Sequence, residues 1–211
     1  DKEGYPIRKL KVRALLKDSR GRLWIGGENG LATYRNTDGQ LERCDIQHNA
    51  SPLQSVFVQS IYESTTKLIW IATRTGLWCY DDKENTFSHY TSDDGLANDI
   101  IDGIEEDSYG RLWLSTDNGL SCFNPFSGTF RNFSTSDGLQ SNQFNPGSHC
   151  RRRNGEIMFG GIYGICSFTP STIEDNPYTP QPIISRLEVF NKPVRPGDGS
   201  GILKKSITEA D

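Results

Sequence analysis

The chain has 211 residues, of which 27 are acidic and 23 are basic, so its formal net charge is -4. This length is enough for one domain with a stable core and part of a second domain. The mild acidity and the lack of a basic stripe argue against nucleic-acid binding, and no run approaches the ~18 apolar residues that cross a bilayer. Glycine occurs 21 times and methionine once, a composition typical of β structure with many tight turns.

A thirteen-residue pattern occurs four times along the chain. Three copies carry a tryptophan at their third position, all four end in an aromatic residue, and the copies span 22–34, 68–80, 111–123 and 156–168. Their shared glycines, which are 46, 43 and 45 residues apart, are Gly30, Gly76, Gly119 and Gly164. Four copies in register are not a chance event and indicate a repeat architecture.

Each copy belongs to a longer unit that predicts four short antiparallel strands. In the first unit, the strand Val12–Lys17 ends in the polar turn 18–21, and the tryptophan strand leads to the hairpin signal Asn29–Gly30. A third strand ends at Tyr34, and a fourth follows at 40–44. Four antiparallel strands in ~40–50 residues indicate a β-propeller blade, and the absence of helical periodicity makes the predicted class all-β.

The repeats predict a partial β-propeller of about four blades at residues 1–169. The four units span 12–44, 56–90, 100–133 and 144–168. The fourth unit lacks an outer strand because a Thr-Pro-Ser sequence follows it, whereas propellers close with ~4–8 blades. We therefore expect the chain to be part of a larger ring or to associate with a second copy of itself.

The composition changes after the fourth unit. Residues 170–182 contain several prolines and predict an extended linker. Alternating apolar residues over 183–190 predict a new strand. Residues 183–211 therefore indicate the beginning of a following domain.

The tryptophans of the first three copies are predicted to pack between neighbouring blades. Each is followed two positions later by a small residue on the same face of the strand, and the pairs are Trp24–Gly26, Trp70–Ala72 and Trp113–Ser115. A large ring beside a small partner lets adjacent twisted sheets interlock. The fourth copy has Met158 instead, which predicts a looser edge.

Residues that could carry catalysis or bind a metal are scattered. The five cysteines contain no Cys-x-x-Cys pair, and the three histidines lie on three different repeats without metal-ligand spacing. The acidic loop at 93–99 lacks the alternating oxygen ligands of a calcium site, so a solvated turn is the favoured interpretation. We predict no catalytic residue, no metal site and no cofactor.

Two features of the repeats are candidates for ligand binding. Trp78 stands where the other copies have small residues, so it either fills a gap between blades or offers a stacking surface to a sugar ring. Arg151, Arg152 and Arg153 replace the usual acidic turn. They either form a solvated loop or hold a sulfate or a uronate carboxylate through bidentate hydrogen bonds.

The repeat resembles that of the two-component regulator propellers. The residues that carry the resemblance are Asp-Ser-x-Gly-Arg-Leu-Trp, followed by Asn-Gly-Leu and a closing aromatic, at 18–34 and 107–123. The sequences between blades, at 90–96 and 133–139, are similar to the same family. The tail at 168–191 is similar to the segment that joins such a propeller to an Ig-like sandwich next to the membrane.

The resemblance implies a periplasmic sensor region, made of the last four blades of a propeller and the start of an Ig-like domain at 183–211. In this family the region belongs to hybrid two-component proteins with a membrane span, a histidine kinase and a receiver, and members respond to oligosaccharides. The implied partners are an oligosaccharide and the remaining blades and Ig-like domain of the same chain, whereas the second copy is expected only from the number of blades. The membrane is reached only through the parent protein, and this part is expected not to be an enzyme.

Two alternatives from other classes stay open at this point. One is a secreted propeller enzyme, such as a lyase or glycosidase that acts on polysaccharide, and the other is a protein-binding scaffold. The second repeat departs from the pattern at 64–67, and the fourth departs at Arg152 and Met158. The second and fourth blades are therefore the predicted places for specialised contacts.

Overall fold

A computed structural model describes most of the chain, namely residues 11–37, 40–43, 53, 56–173, 186–195 and 202. These residues fall into two compact units, one within 1–173 and one within 174–211. Most of the predicted linker at 170–182, and much of the predicted domain start at 183–211, lie outside the described residues. No helix in the described part of the chain is long and apolar enough to span a membrane.

The larger unit consists of antiparallel sheets, one for each repeat, which we call blades 1 to 4. Blade 1 contains β1 Val12–Lys17, β2 Arg22–Gly27, β3 Gly30–Thr37 and β4 Gln40–Arg43. Blade 2 contains β5 Val58–Glu63, β6 Ile69–Thr73, β7 Gly76–Asp81 and β8 Thr86–Tyr90. Blade 3 contains β9 Ile101–Glu106, β10 Leu112–Thr116, β11 Gly119–Asn124 and β12 Thr129–Phe133. The described strands of blade 4 are β13 Phe144–Arg151, β14 Ile157–Gly161 and β15 Gly164–Phe168.

The described helical residues are confined to single 3-10 turns, which cover Ser92–Asp94, Thr135–Asp137 and Pro170–Thr172. The first two turns lie between consecutive blades, and the third follows β15. The predicted all-β propeller fold is confirmed.

The glycine shared by the repeats is required by the hairpin between the second and third strands. Its φ is 112° at Gly76 and 99° at Gly119, in the left-handed region that side chains disfavour. A Cβ at Gly119 would also lie 2.2 Å from the backbone carbonyl oxygen of Phe133. The repeated glycine therefore fixes both the turn and the close approach of the fourth strand.

The core lies between the blades, in interfaces that we call seams. The tryptophan of each of the first three blades is at most 2% exposed and contacts an aromatic ring of the next blade. The ring centroids are 5.7 Å apart for Trp24–Tyr80, 5.7 Å for Trp70–Phe123 and 4.6 Å for Trp113–Phe168. The predicted packing of these tryptophans between blades is confirmed.

The two ends of the row of blades expose positions that the inner seams bury. Leu77 and Leu120 are 0% and 1% exposed, whereas Ile165, at the same position of blade 4, is 59% exposed. On the first strands, Ile104 is 0% exposed but Leu15, at the matching register, is 65% exposed. In the described part of the larger unit, each end face therefore exposes an apolar side chain at a position that a neighbouring blade covers in the inner seams.

The smaller unit contains a short hairpin of β16 Glu188–Val189 and β17 Lys192–Pro193. Its turn residues, Phe190 and Asn191, have φ values of 50° and 59°. Two consecutive positive φ values are those of a type I′ turn, which reverses the chain tightly. The described part of the strand predicted over 183–190 contains β16 Glu188–Val189 and ends in this turn, while residues 183–185 lie outside the described residues.

Candidate ligand-binding site

The turn between the first two strands of a blade contains a carboxylate network. In blade 3, Asp107 accepts hydrogen bonds from Trp113 Nε1 at 3.0 Å and from Arg111 Nε at 2.7 Å. The backbone N–H groups of Tyr109 and Arg111 donate to the same carboxylate at 2.9 and 3.0 Å. Since a buried indole N–H without a partner costs free energy, this carboxylate both closes the turn and satisfies the core tryptophan.

The same network in blade 1 reaches across to blade 2. Asp18 accepts from Trp24 Nε1 at 2.8 Å and from Arg22 Nε at 2.7 Å. Arg22 Nη1 also lies 2.5 Å from Asp82 Oδ1, just beyond β7. Burial alone would raise the pKa of Asp18, but the hydrogen bonds from Trp24 and Arg22 hold this pKa below its usual value. In blade 3 the matching Arg111 instead lies 3.4 Å from a backbone carbonyl just beyond β15.

Blade 2 lacks this network. Ser64 and Leu68 stand where blades 1 and 3 have the aspartate and the arginine, and Pro125 of blade 3 stands where blade 2 has Asp82. The Nε1 atom of Trp70 is buried and has no hydrogen-bond partner among the described residues. Its counterparts donate to a carboxylate at the position of Ser64.

Residues at the ends of the first strands tie each turn to the next blade. Glu63, at the end of β5, accepts from the backbone N–H of Ser19 at 2.8 Å. Glu106, at the end of β9, accepts from the backbone N–H and Oγ1 of Thr65 at 2.9 and 2.7 Å. Arg151 has this position in blade 4 and donates to the backbone carbonyl of Glu106 at 2.8 Å. The seam between blades 3 and 4 thus uses a cation where the other two use an anion.

The other two predicted arginines have different surroundings. Arg152 Nη1 lies 2.8 Å from Glu156 Oε2, in an ion pair within the same turn. Arg153 is exposed and makes no ion pair or hydrogen bond with any residue that the structure describes. Of the three guanidinium groups at 151–153, one is therefore left uncommitted.

Trp78 lies on β7, and its ring stacks on His89 of the neighbouring strand β8. The ring centroids are 3.9 Å apart and the planes differ by 13°. The side chain also packs against the buried cluster in the seam between blades 1 and 2, and Phe87 meets it edge-on at 6.4 Å. With one face of the indole covered by His89, this geometry favours the gap-filling interpretation over a stacking surface for sugar.

A groove that the sequence analysis missed lies beside the turn of blade 2. It has a volume of about 260 Å³, and turns from three consecutive blades frame it. Leu68, Pro125 and Phe126 are its apolar lining residues, and Phe126 is 81% exposed. An alignment of the repeats shows that Leu68 and Pro125 differ from the residues at the same positions of other blades. Only the folded structure shows that both residues line one groove.

Asp102 is a buried carboxylate that the sequence analysis also missed. It lies on β9 and is 2% exposed. Its Oδ1 accepts from Gln59 Nε2 at 3.2 Å, and its Oδ2 has no hydrogen-bond partner within the described part of the chain. Burial, followed by the nearby charge of Asp117, raises the pKa of Asp102 to about 6.

The seam between blades 3 and 4 contains a histidine where blades 2 and 3 have an isoleucine. His149 has the register of Ile61 and Ile104, and its Nδ1 lies 2.9 Å from Glu105 Oε1. A Cβ at Gly103 would lie 2.3 Å from His149 Cδ2. The imidazole therefore fits only because residue 103 has no side chain.

The acidic loop at 93–99 is organised around its own backbone. Asp94 Oδ2 accepts from the backbone N–H of Thr91 at 2.8 Å, and Asp99 Oδ1 accepts from that of Ser92 at 2.7 Å. These carboxylates stabilise the turn through hydrogen bonds to its backbone, in agreement with the interpretation of this loop as a turn and not a calcium site. Among the residues that the structure describes, no group of three or more His, Cys, Asp or Glu side chains could hold a metal ion.

The chain is similar to a histidine kinase and to the extracellular domains of two bacterial signalling proteins. Residues 7–29 and 95–118 match the family model described as two component regulator propeller. "Histidine kinase P4" of Formosa agariphila is 30% identical over 208 residues, which is 96% of this chain and 15% of that protein. The extracellular domain of BT3049 from B. thetaiotaomicron, assigned as a hybrid two-component system, is 27% identical over 93% of this chain and 28% of that chain, with a TM-score of 0.68. The extracellular domain of BT4673 from the same organism, assigned as a one-component system, shares the fold at 21% identity, over 77% of this chain and 22% of that chain, with a TM-score of 0.61.

The fold and these matches define a β-propeller of the sensor type. The two stretches that match the model of the two-component regulator propellers confirm the resemblance found in the repeats. It spans less than a third of each of these three relatives. The predicted periplasmic location is confirmed at the level of these relatives, since the matching solved domains are extracellular.

Proposed function

We propose that the chain is part of the ligand-sensing region of a hybrid two-component sensor, recognises oligosaccharides and passes the signal to a membrane-linked histidine kinase. The observation that carries this proposal is the likeness to a histidine kinase over 96% of the chain and to the extracellular domain of a hybrid system over 93%. Since the chain spans 15% and 28% of those two proteins, the kinase step belongs to other parts of the protein.

The exposed end faces support a place within a longer propeller. Leu15 and Ile165 have the positions that the inner seams bury, so further blades of the same protein would cover them. We propose that residues 1–169 are blades of that propeller, that 170–182 form a linker, and that 183–211 begin an Ig-like domain. A second copy of the chain is the alternative cover for the two faces.

Signalling in this arrangement depends on how the ligand affects the seams. A ligand that contacts two blades changes the free energy of the seam between them. It conveys a signal only if its affinity differs between two arrangements of the sensor region. Turn grooves that span a seam are therefore better placed for sensing than sites within one blade.

We propose no catalytic activity for the chain itself. The two described histidines are engaged in packing, His89 on Trp78 and His149 on Glu105 and Gly103. The competing functions remain an enzyme that acts on polysaccharide and a protein-binding scaffold. Bond cleavage by the propeller, lost on changing one or two carboxylates, would establish the enzyme.

The arginine turn of blade 4 remains a separate candidate contact for acidic sugars. Because Arg151 and Arg152 are engaged within the protein, Arg153 would have to make the contact. Arg153→Ala should then weaken binding of a sulfated or uronate oligosaccharide to the complete sensor. Unchanged affinity would remove this candidate and leave the wider proposal intact.

The proposal is tested by titrating the complete sensor protein with a panel of oligosaccharides. Calorimetry reports binding, and phosphoryl transfer from ATP reports the kinase response. We expect at least one oligosaccharide to bind and to change the rate of phosphoryl transfer. Binding without a change in phosphoryl transfer would contradict the signalling role, and no binding at all would contradict oligosaccharide recognition.

A further inference from the structure

We infer that the groove beside Ser64 is a subsite for one neutral pyranose ring. This inference rests on the proposed recognition of oligosaccharides and specifies where and how a sugar is held. The volume of about 260 Å³ is slightly below the ~300–1,000 Å³ of sites for drug-sized ligands. The groove therefore suits a single ring rather than a long segment of glycan.

An exposed aromatic ring supplies the apolar surface of the subsite. Phe126 is 81% exposed at the turn that follows β11, and it lines the groove with Leu68 and Pro125. A large aromatic ring exposed to this degree gains free energy when a ligand removes it from water. The C–H face of a pyranose ring is a flat apolar surface that fits against such a ring.

The polar lining offers both donors and acceptors. Lys67 and Lys83 carry ammonium groups, and Asp81 carries a carboxylate that can accept from hydroxyl groups. Lys83 has no ion pair among the described residues, and Lys67 lies 3.9 Å from its nearest carboxylate oxygen. Sugar hydroxyls both donate and accept hydrogen bonds, so a mixed lining suits them better than it suits an apolar ligand.

The charges of the lining balance, which selects the class of sugar. The cationic lining residues are Arg20, Lys67 and Lys83, and the anionic ones are Asp81, Asp82 and Glu106. With three charges of each sign, the groove has no net positive field to attract a carboxylate or a sulfate. A neutral sugar loses no ionic hydration on entering, so the lining favours it over a uronate or a sulfated sugar.

Blade 2 also has a buried donor without a partner among the described residues, although this residue, Trp70, does not line the groove. In blades 1 and 3, the corresponding volume is filled by an aspartate that accepts from the tryptophan, together with an arginine. In blade 2 that volume is left by Ser64 and Leu68, and Trp70 Nε1 has no acceptor within the described residues. Blade 2 therefore lacks the side chains that occupy this turn in blades 1 and 3.

Three variants of the complete sensor protein test the subsite. Phe126→Ala removes the exposed ring, and the double variant Ser64→Asp with Leu68→Arg fills the groove as in blades 1 and 3. Tyr109→Ala is the matched control, because Tyr109 is 60% exposed on a neighbouring turn but does not line the groove. The probes are neutral cello-, manno- and galacto-oligosaccharides and, for comparison, oligogalacturonates and sulfated disaccharides, all measured by calorimetry.

We expect a neutral oligosaccharide to bind, and both groove variants to weaken it by about tenfold or more. The control should bind as the unchanged protein does. If a neutral oligosaccharide binds but the groove variants keep its affinity, the subsite is wrong while the proposed function stands. If only acidic sugars bind and the variants weaken them, the neutral class is wrong. If no oligosaccharide binds, the proposed function fails, and this inference fails with it.

Discussion

Arg152 and Glu156 pair at 2.8 Å across the turn of blade 4, with charges reversed from the Asp107–Arg111 pair at the same positions of blade 3. Two positions after Glu156, blade 4 has Met158 rather than a tryptophan. No indole N–H there requires a carboxylate. The three positions therefore vary as a set: acid, base and indole in blades 1 and 3, but base, acid and thioether in blade 4.

This relationship predicts unequal costs for two matched substitutions. Asp107→Ala should lower the free energy of unfolding by about 2–3 kcal/mol, because it leaves the buried Trp113 N–H and the Arg111 guanidinium without their acceptor. Arg152→Ala, at the same turn position, should cost less than about 1 kcal/mol because its ion pair with Glu156 is largely exposed. Urea denaturation followed by tryptophan fluorescence measures both, and equal losses would contradict the role of the indole.

The unsatisfied indole of blade 2 predicts a stabilising pair of substitutions. Ser64→Asp together with Leu68→Arg should raise the free energy of unfolding by about 1–2 kcal/mol, because the new carboxylate accepts from Trp70 Nε1. Ser64→Asp alone should gain less, because Glu106 already accepts from the adjacent Thr65 and would repel a second, unpaired carboxylate. Thermal unfolding of the single and double variants measures the difference. A single variant as stable as the double would show that the arginine is unnecessary.

Asp102 predicts a particular dependence of stability on pH. Its pKa of about 6 in the folded protein lies above the usual 3.8, so the folded state binds this proton more tightly than the unfolded state. The free energy of unfolding should therefore fall as the pH rises from about 4 to about 6. Above that range the loss of stability should stay constant.

Asp102→Asn removes this titration. The advantage of the variant over the unchanged protein in free energy of unfolding should grow by up to about 3 kcal/mol between pH 4 and pH 7. Denaturation curves at four pH values across this interval would show it. A difference that stays constant with pH would mean that Asp102 is ionised throughout.

Trp78→Ala distinguishes the two interpretations of this tryptophan. Removing a ring that stacks on His89 and packs against a buried cluster should lower the free energy of unfolding by about 2–3 kcal/mol. The affinity for oligosaccharide should stay within about twofold of the original, a change of less than ~0.5 kcal/mol. The opposite pattern, unchanged stability with a marked loss of affinity, would support the interpretation of Trp78 as a stacking surface for sugar.

The architecture is predictable from this sequence because its determinants lie within each repeat. Glycine, tryptophan and the closing aromatic recur at fixed spacing, and the strand predicted at Val12–Lys17 has the bounds of the observed β1. The conformation of the turn at Phe190 and Asn191 was less predictable, because neither residue is a glycine although both adopt positive φ. An alternation of apolar residues does not show such a reversal.

The candidate groove could not be predicted in the same way. It depends on contacts between residues of different repeats, such as Arg22 with Asp82 in one seam and the loss of that pair at Leu68 and Pro125 in the next. These positions are about sixty residues apart in the chain, and their proximity follows only once the blades are stacked. The lack of a hydrogen-bond partner for Trp70 Nε1 among the described residues is likewise visible only in the folded protein.

Gly103 and His149 restrict how this protein can change over evolutionary time. Any Cβ at 103 collides with the imidazole, so a lineage that gains a side chain there must replace His149 in the same step or beforehand. Replacing His149 beforehand by a small residue leaves a cavity and removes the partner of Glu105. We expect orthologues to carry either the glycine with the histidine or neither, so that these two sites are inherited as one character.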